Sequence, residues 1–143
     1  MTLGDPAPWL LLVAAVHLGF QLTVDLVVYP ALRDAPFARW SQTHDRHSRR
    51  ITPVVALVYP PLVLVLGWAA VTAPADPAVR VAVLGGLVSV AATGLVAAPT
   101  HGRLGAAGDE ETRDRLVRRL MAGDRVRTAG AVLCAAGALL AAT

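Results

Sequence analysis

The sequence predicts an all-α integral membrane protein: an antiparallel four-helix bundle, with long second and fourth helices, in one domain spanning residues 1–143. The first observation is composition, since 55% of the residues are hydrophobic and only 16% are charged. A soluble domain has roughly 45–50% apolar and about 25% charged residues. The second observation is four long apolar stretches, and the third is the concentration of arginines in two of the connecting loops.

The four apolar stretches cover residues 9–32, 51–73, 81–99 and 129–142. A membrane-spanning helix needs about 20 apolar residues, which the first three stretches provide. The fourth is short and has to include residues 124–128 to cross a bilayer. Polar helical extensions over 37–50 and 110–127 lengthen two of the helices, so the predicted helices are 9–32, 37–73, 79–99 and 110–142. Because no basic residue precedes the first stretch, we interpret it as a retained helix and not a signal peptide.

The basic residues predict the orientation of these helices. All thirteen are arginines; five lie between the first and second stretches and seven between the third and fourth. Only Arg80 lies on the opposite side. Because cations in short loops stay in the cytoplasm, both hairpin loops are expected there and both termini outside, in the bacterial inner (plasma) membrane. The pI near 10.0 comes with no aromatic–basic surface motif, so no nucleic-acid partner is expected.

Three polar residues interrupt the first apolar stretch. His17, Gln21 and Asp25 are spaced four residues apart, so they share one face of a helix. Polar and ionisable groups within a membrane are costly and usually mark a functional site. A stripe of interhelical hydrogen bonds without chemistry is the alternative interpretation.

Folding the first hairpin about Asp34 suggests partners for this stripe. Asp25 then lies level with about residue 43 and Gln21 with about residue 47, so His44 and His47 are expected to meet them. The same cytoplasmic half of the protein also holds His101, Asp124 and Arg127. Side chains from all four helices are therefore expected to line one cavity that opens towards the cytoplasm.

Several chemistries suit such a cavity. His44, His47 and Asp25 have the ligand types of an iron or copper site, and two histidines on opposed helices could instead bind haem. A histidine could also act without a cofactor, as a base towards an acidic phenol whose oxyanion Arg127 stabilises. In the alternative interpretation, His44 and His47 lie among the lipid headgroups and have no catalytic role.

The chain also carries an internal repeat and two small-residue faces. Residues 29–33, around Pro30, correspond to residues 98–103, around Pro99; two similar hairpins or convergence on a common form would both explain this.

Small residues recur every fourth position on the third and fourth helices: Gly85, Ser89 and Thr93, then Gly130, Cys134 and Ala138. Such faces let membrane helices approach closely, and they also make a homodimer plausible.

Four short motifs occur in order along the chain: residues 28–32 (VYPAL), His44 with residues 51–53 (ITP), residues 99–104 (PTHGRL), and Arg127 with Thr128. This series resembles small four-helix bacterial membrane proteins of unknown function that are similar to the anthrone-oxygenase-like family. Pro99, His101, Leu104 and Arg127 match the family pattern. Asp124 and Arg125 occupy positions where relatives often have Asn and Trp, so this chain differs from the family pattern there. The resemblance implies oxidation of a hydrophobic aromatic or polyketide-like compound.

These observations favour a membrane oxidoreductase or oxygenase acting on a lipophilic aromatic, quinone or polyketide-like molecule. The expected catalytic residues are His44, His101, Arg127 and Asp25, and the expected ligand-binding residues are His17, Gln21 and Asp124. The bilayer, a lipophilic small molecule and a second copy of the chain are the expected partners. The alternatives are a non-catalytic haem-, metal- or lipid-binding or accessory subunit, and a small oligomeric transporter that uses His17 to Asp25 as a proton relay.

Overall fold

The computed structural model describes residues 4–143, which form four long helices and no strand. We number them α1 (Ala7–Arg33), α2 (Phe37–Thr72), α3 (Pro77–Gly105) and α4 (Glu110–Ala141). Helix α1 packs on α2 and α4, and α3 packs on α4 and α2. The all-helical prediction is confirmed for this part of the chain; residues 1–3 of the predicted domain lie outside it.

Three of the four helices, α1, α2 and α3, are long and apolar enough to cross a membrane. Large apolar side chains point outwards along them; Leu57, Val71 and Leu95 are each at least 74% exposed. Apolar surfaces of this extent are compatible with lipid contact and costly in water. The structure thus supports the membrane prediction for three helices, while α4 has the shorter apolar part that its sequence indicates.

Helices α1 and α3 each contain one widened π-helical turn shortly before a proline. The turns are Val24–Val28 and Thr93–Ala97, and they end two residues before Pro30 and Pro99 respectively. Proline lacks an N–H and clashes with the carbonyl one turn back, and a π turn relieves both problems. The spacing between the two π turns equals the spacing between the two prolines. The internal repeat around Pro30 and Pro99 therefore includes the π turns.

The π turn explains why one predicted helix end was wrong. The third helix was expected to end at Pro99, yet α3 continues through Ala98–Gly105. The proline is accommodated within the helix, so the chain gains about two more turns, and these carry His101. Helix α2 likewise continues unbroken through Pro53, Pro60 and Pro61.

The small-residue faces of α3 and α4 pack on each other. A Cβ atom added at Gly85 would lie 2.5 Å from the backbone nitrogen of Cys134 and 2.6 Å from the carbonyl oxygen of Gly130. Gly137 makes an equally close approach to the backbone of Ala82. The packing role predicted for these residues is confirmed. Because both faces are covered within one chain, they do not supply the free surface that the homodimer expectation relied on.

We expect Gly85→Ala to destabilise the protein by about 1–3 kcal/mol, since the new methyl group meets backbone atoms that cannot move independently. Gly67→Ala is the matched control, because nothing lies within 4 Å of a Cβ atom there. The control should be neutral or slightly stabilising, as alanine favours helix. Thermal unfolding of both variants in detergent checks this; equal stability would show that α3 and α4 are not in such close contact.

Two apolar core clusters occupy the two ends of the protein, and a polar layer separates them. One cluster includes Leu10, Leu62 and Cys134, and the other includes Leu32, Leu104 and Leu120. The buried polar residues between the clusters are His17, Gln21, Ser89, Asp124 and Arg127. Burying these groups costs free energy unless they are paired, so the layer is where a site is expected.

Ion pairing at the loop end of α4 differs from the sequence expectation. In the sequence, Glu111 with Arg115 and Asp114 with Arg118 have the i,i+4 spacing that favours ion pairs on a helix. Instead, the buried Arg113 pairs with Glu110 and Asp114, each at 2.9 Å. Arg113 also donates to the carbonyl oxygens of residues 33 and 35 and lies over the ring of Trp40. No sequence pattern indicates this role of Arg113, which fixes the loop between α1 and α2 against α4.

Candidate functional site

Arg127 is the centre of the polar layer. Its guanidinium is buried and donates to the Tyr29 hydroxyl at 3.1 Å and to Gln21 Oε1 at 2.7 Å. Asp124, one turn earlier on α4, lies 3.5 Å from the same group. Arg127 therefore connects α1 to α4 and carries a fixed positive charge into the middle of the protein.

Three further hydroxyl residues hold this layer in place. Tyr59 on α2 forms a 2.8 Å hydrogen bond with the Thr93 hydroxyl and reaches Gln21 Oε1 at 3.5 Å. Thr93 donates in turn to the carbonyl of Ser89, and the Ser89 hydroxyl donates to the carbonyl of Arg127. Every helix thus contributes to one hydrogen-bonded network, which limits the movement of Arg127.

Asp124 is fully buried, and its two oxygens have no hydrogen-bond partner among the described residues. Beside Arg127, its neighbours are the side chains of Asp25 and Gln21. Asp124 thus has a guanidinium group on one side and a second carboxyl group, that of Asp25, as a further neighbour. The structure thus brings together four of the predicted site residues: Gln21, Asp25, Asp124 and Arg127.

The histidines form a second group, adjacent to the first. His44 Nε2 lies 3.4 Å from His101 Nδ1, and the ring of His47 stacks on His101 with 5.5 Å between the centroids. His101 Nε2 lies 3.4 Å from the Tyr29 hydroxyl. Because Tyr29 also accepts from Arg127, one chain of polar contacts runs from Gln21 through Arg127 and Tyr29 to His101.

The expected pairing of Asp25 and Gln21 with His44 and His47 is not what the structure shows. Gln21 bonds to Arg127, and Asp25 faces Asp124. The depth argument compared only levels along the helices: the structure turns Gln21 towards Arg127 on α4, and the π turn at Val24–Val28 changes the direction of Asp25 relative to Gln21.

His17 lies apart from the other histidines. It is fully buried and meets the ring of Tyr59 edge-on, with 5.2 Å between the centroids. Both ring nitrogens lack a hydrogen-bond partner in the described residues.

The two polar groups meet at a cavity of about 240 Å³ between α1, α2 and α3. Its walls are mostly apolar, with Phe20, Ile51 and Ala97 among them. Tyr29, His101 and Arg127 form one polar side, and the exposed residues Thr52 and Ala98 lie at the edge. The cavity is smaller than the roughly 300–1,000 Å³ of typical ligand pockets, so any part of a ligand beyond one ring would extend out of it.

Across residues 4–143, no group of three or more His, Cys, Asp or Glu side chains is arranged to hold a metal ion. The predicted set of His44, His47 and Asp25 therefore finds no support in the geometry. The haem, iron and copper hypotheses stay untested predictions.

Comparison with protein-family models, curated proteins and solved structures gave no match for this chain. The site is therefore interpreted from its own geometry.

Sequence reasoning missed several residues of the site. Tyr59, Ser89 and Thr93 were not assigned to it, and Tyr29 was noted only within a motif. Tyr59 could have been found, since it lies inside the second apolar stretch and a buried phenol hydroxyl generally needs a hydrogen-bond partner.

Proposed function

We propose that this protein binds a lipophilic molecule with an acidic hydroxyl or enolisable carbonyl group in the cavity between α1, α2 and α3. One observation carries the proposal: Arg127, Tyr29 and His101, which contact one another in turn, line a mostly apolar cavity. The ring of the ligand fits within about 240 Å³, and its remaining apolar part extends past Thr52 and Ala98 into lipid.

The membrane setting is part of the same proposal. The four helices span the bacterial plasma membrane as an antiparallel bundle, with both hairpin loops in the cytoplasm, as the distribution of arginines indicates. In a chain carrying Cys134→Ser, a cysteine placed at Gly108 should react with a membrane-impermeant maleimide only after the cells are opened. A cysteine placed at Ala75 should react in intact cells; the reverse pattern would contradict this orientation.

Arg127 lines the cavity whereas its ion-pair partner Asp124 does not, so the charge that faces the ligand favours an anionic form. Arg127 is held by Gln21, Tyr29 and Asp124, so its positive charge is in place before the ligand arrives. A fixed cation in a water-poor cavity stabilises an oxyanion more strongly than water does. His101, on the same side of the cavity, is the group that accepts the proton, with His44 in contact behind it.

The reaction supported by this arrangement and by the resemblance to the anthrone-oxygenase-like family is an oxidation by dioxygen. The substrate is a carbon acid whose methylene group is conjugated with a carbonyl group through an aromatic ring. His101 removes one methylene proton, and Arg127 with Tyr29 stabilises the enolate oxygen. The enolate carbon then reduces dioxygen to a hydroperoxide, the proton returns, and loss of one water leaves a carbonyl group.

Dioxygen uptake by the reconstituted protein with anthrone as substrate tests this reaction. One dioxygen should be consumed for each anthrone converted into the quinone, at a rate above that of protein-free lipid. Binding of the same compound without faster oxidation would contradict the reaction and favour the alternative function, a non-catalytic lipophile-binding subunit.

A further inference from the structure

A second concave site lies at the loop end of the protein, away from the cavity described above. It lies between the last turn of α3 and the first turns of α4 and has a volume of about 460 Å³. Arg103, Arg115 and Arg119 line it, together with Ala106, Thr112 and Leu116. The floor contains Leu116, which is buried, while the three arginines are exposed at the sides.

Within the part of the chain that the structure describes, none of the three guanidinium groups forms an ion pair. The ion pairs formed among residues 4–143 involve Arg33, Arg113 and Arg127, and none of these arginines lines the site. Glu110 and Asp114 both pair with Arg113, and Asp109 caps α4 by accepting from the backbone N–H of Thr112 at 2.7 Å. The hydrogen bonds to Thr112, with a smaller effect of the Arg115 charge, lower the pKa of the Asp109 carboxyl. The nearby acids are thus engaged elsewhere or lie outside the lining, and three positive charges share one concavity.

Such a concavity matches a phosphate group in both charge and geometry. Arginine presents planar, paired N–H donors that fit phosphate oxygens two at a time. Arg115 and Arg119 are one turn apart on the same face of α4, and Arg103 faces them from α3. The Thr112 hydroxyl, 3.5 Å from Arg115, adds a neutral donor.

The level of the site along α4 suits a phosphate in a lipid headgroup. The outward apolar side chains of α4 begin at Val126, seven residues after Arg119. Seven residues of α-helix correspond to about 10 Å, which places the arginines next to the hydrocarbon boundary. This placement rests on the membrane orientation proposed above. Basic pockets between helices on the cytoplasmic side are a recurrent means of binding anionic headgroups.

We infer that Arg103, Arg115 and Arg119 form a binding site for a phosphate group, supplied by an anionic phospholipid of the cytoplasmic leaflet. The lipid stabilises the contact between the end of α3 and the start of α4 by neutralising three like charges. Free phosphate carries the same chemistry and is the other source that the experiment has to distinguish.

The test measures thermal unfolding of the full chain in a neutral detergent while phosphatidylglycerol is added to the micelles. A ligand that binds the folded state raises the unfolding temperature according to its concentration and affinity. The lipid concentration that gives half of the maximal rise should increase about 25-fold in the double variant Arg115→Gln/Arg119→Gln, at about fivefold for each arginine. The matched control Arg118→Gln/Arg125→Gln removes the same charge from the same helix at positions outside the site, and should respond nearly as the unmodified protein does.

Phosphatidylcholine and inorganic phosphate are the comparison ligands. A rise with phosphatidylglycerol alone that depends on Arg115 and Arg119 supports the lipid site. An equal rise with inorganic phosphate supports the phosphate site but overturns the lipid as its source. Equal losses in the two double variants, or a similar rise with phosphatidylcholine, would overturn the site, since either result reflects diffuse charge or general lipid effects. This experiment measures unfolding and not oxidation. A negative result therefore contradicts the phosphate site without contradicting the proposed oxidation.

Discussion

Replacing Arg127 with methionine should destabilise the protein by about 3–5 kcal/mol, the cost of leaving a buried charge without its partner. In Arg127→Met, Asp124 stays fully buried beside Asp25, and Gln21 and Tyr29 lose their guanidinium donor. Thermal or denaturant unfolding of the reconstituted protein measures the change.

A second substitution distinguishes loss of the ion pair from loss of packing. The double variant Arg127→Met/Asp124→Leu removes both charges and should regain most of the lost stability, because an apolar pair can replace a buried ion pair at little cost. Arg118→Met is the control for loss of an exposed arginine on the same helix. If Arg127→Met were as stable as this control, the polar layer would not be organised around Arg127.

His101→Gln should lower the rate of anthrone oxidation by about 10²–10⁴-fold, the usual contribution of a positioned general base. Glutamine keeps a similar size and polarity but cannot accept the substrate proton. Affinity for the substrate should change little, because Arg127 and Tyr29 remain. The measurement is dioxygen uptake at saturating substrate, together with substrate affinity in the same preparation.

Ser48→Ala is the matched control for this effect, since Ser48 lines the same cavity and carries no ionisable group. His44→Gln adds a second comparison, because His44 contacts His101 and does not line the cavity. It should slow oxidation less than His101→Gln and shift the pH dependence of the rate. A His101→Gln variant that oxidised anthrone at the original rate would exclude His101 as the base.

Much of the helical framework could be predicted from the sequence because it depends on long apolar runs. Three runs were long enough to span a bilayer, and the same three helices meet that criterion in the structure. The end of the third helix was misplaced because a proline normally terminates a helix, whereas the π turn at Thr93–Ala97 accommodates Pro99. Local sequence rules describe regular helices, and this irregularity lies outside them.

The composition of the site could be predicted in part and its contacts could not. Costly polar residues in the first apolar stretch pointed to Gln21 and Asp25, and position in the cytoplasmic half pointed to Asp124 and Arg127. The structure brings these four residues together. Their partners depend on helix rotation, which a single π turn alters. The bond between Tyr29 and Arg127 joins residues 98 positions apart in the sequence, so no local spacing could indicate it.

The ionisation of a bound phenol tests the central claim most directly, since it reports the charge that Arg127 presents to the cavity. The probe is an alkyl-substituted nitrophenol, whose single ring fits the cavity and whose phenolate form absorbs visible light. In bilayer discs containing the protein, the ionised-to-neutral ratio of the bound phenol should exceed that in protein-free discs by about tenfold or more, as expected beside a fixed cation. Arg127→Met/Asp124→Leu should abolish the increase, and Ser48→Ala should retain it. An identical ratio in discs with and without the protein would contradict an oxyanion-binding site at Arg127.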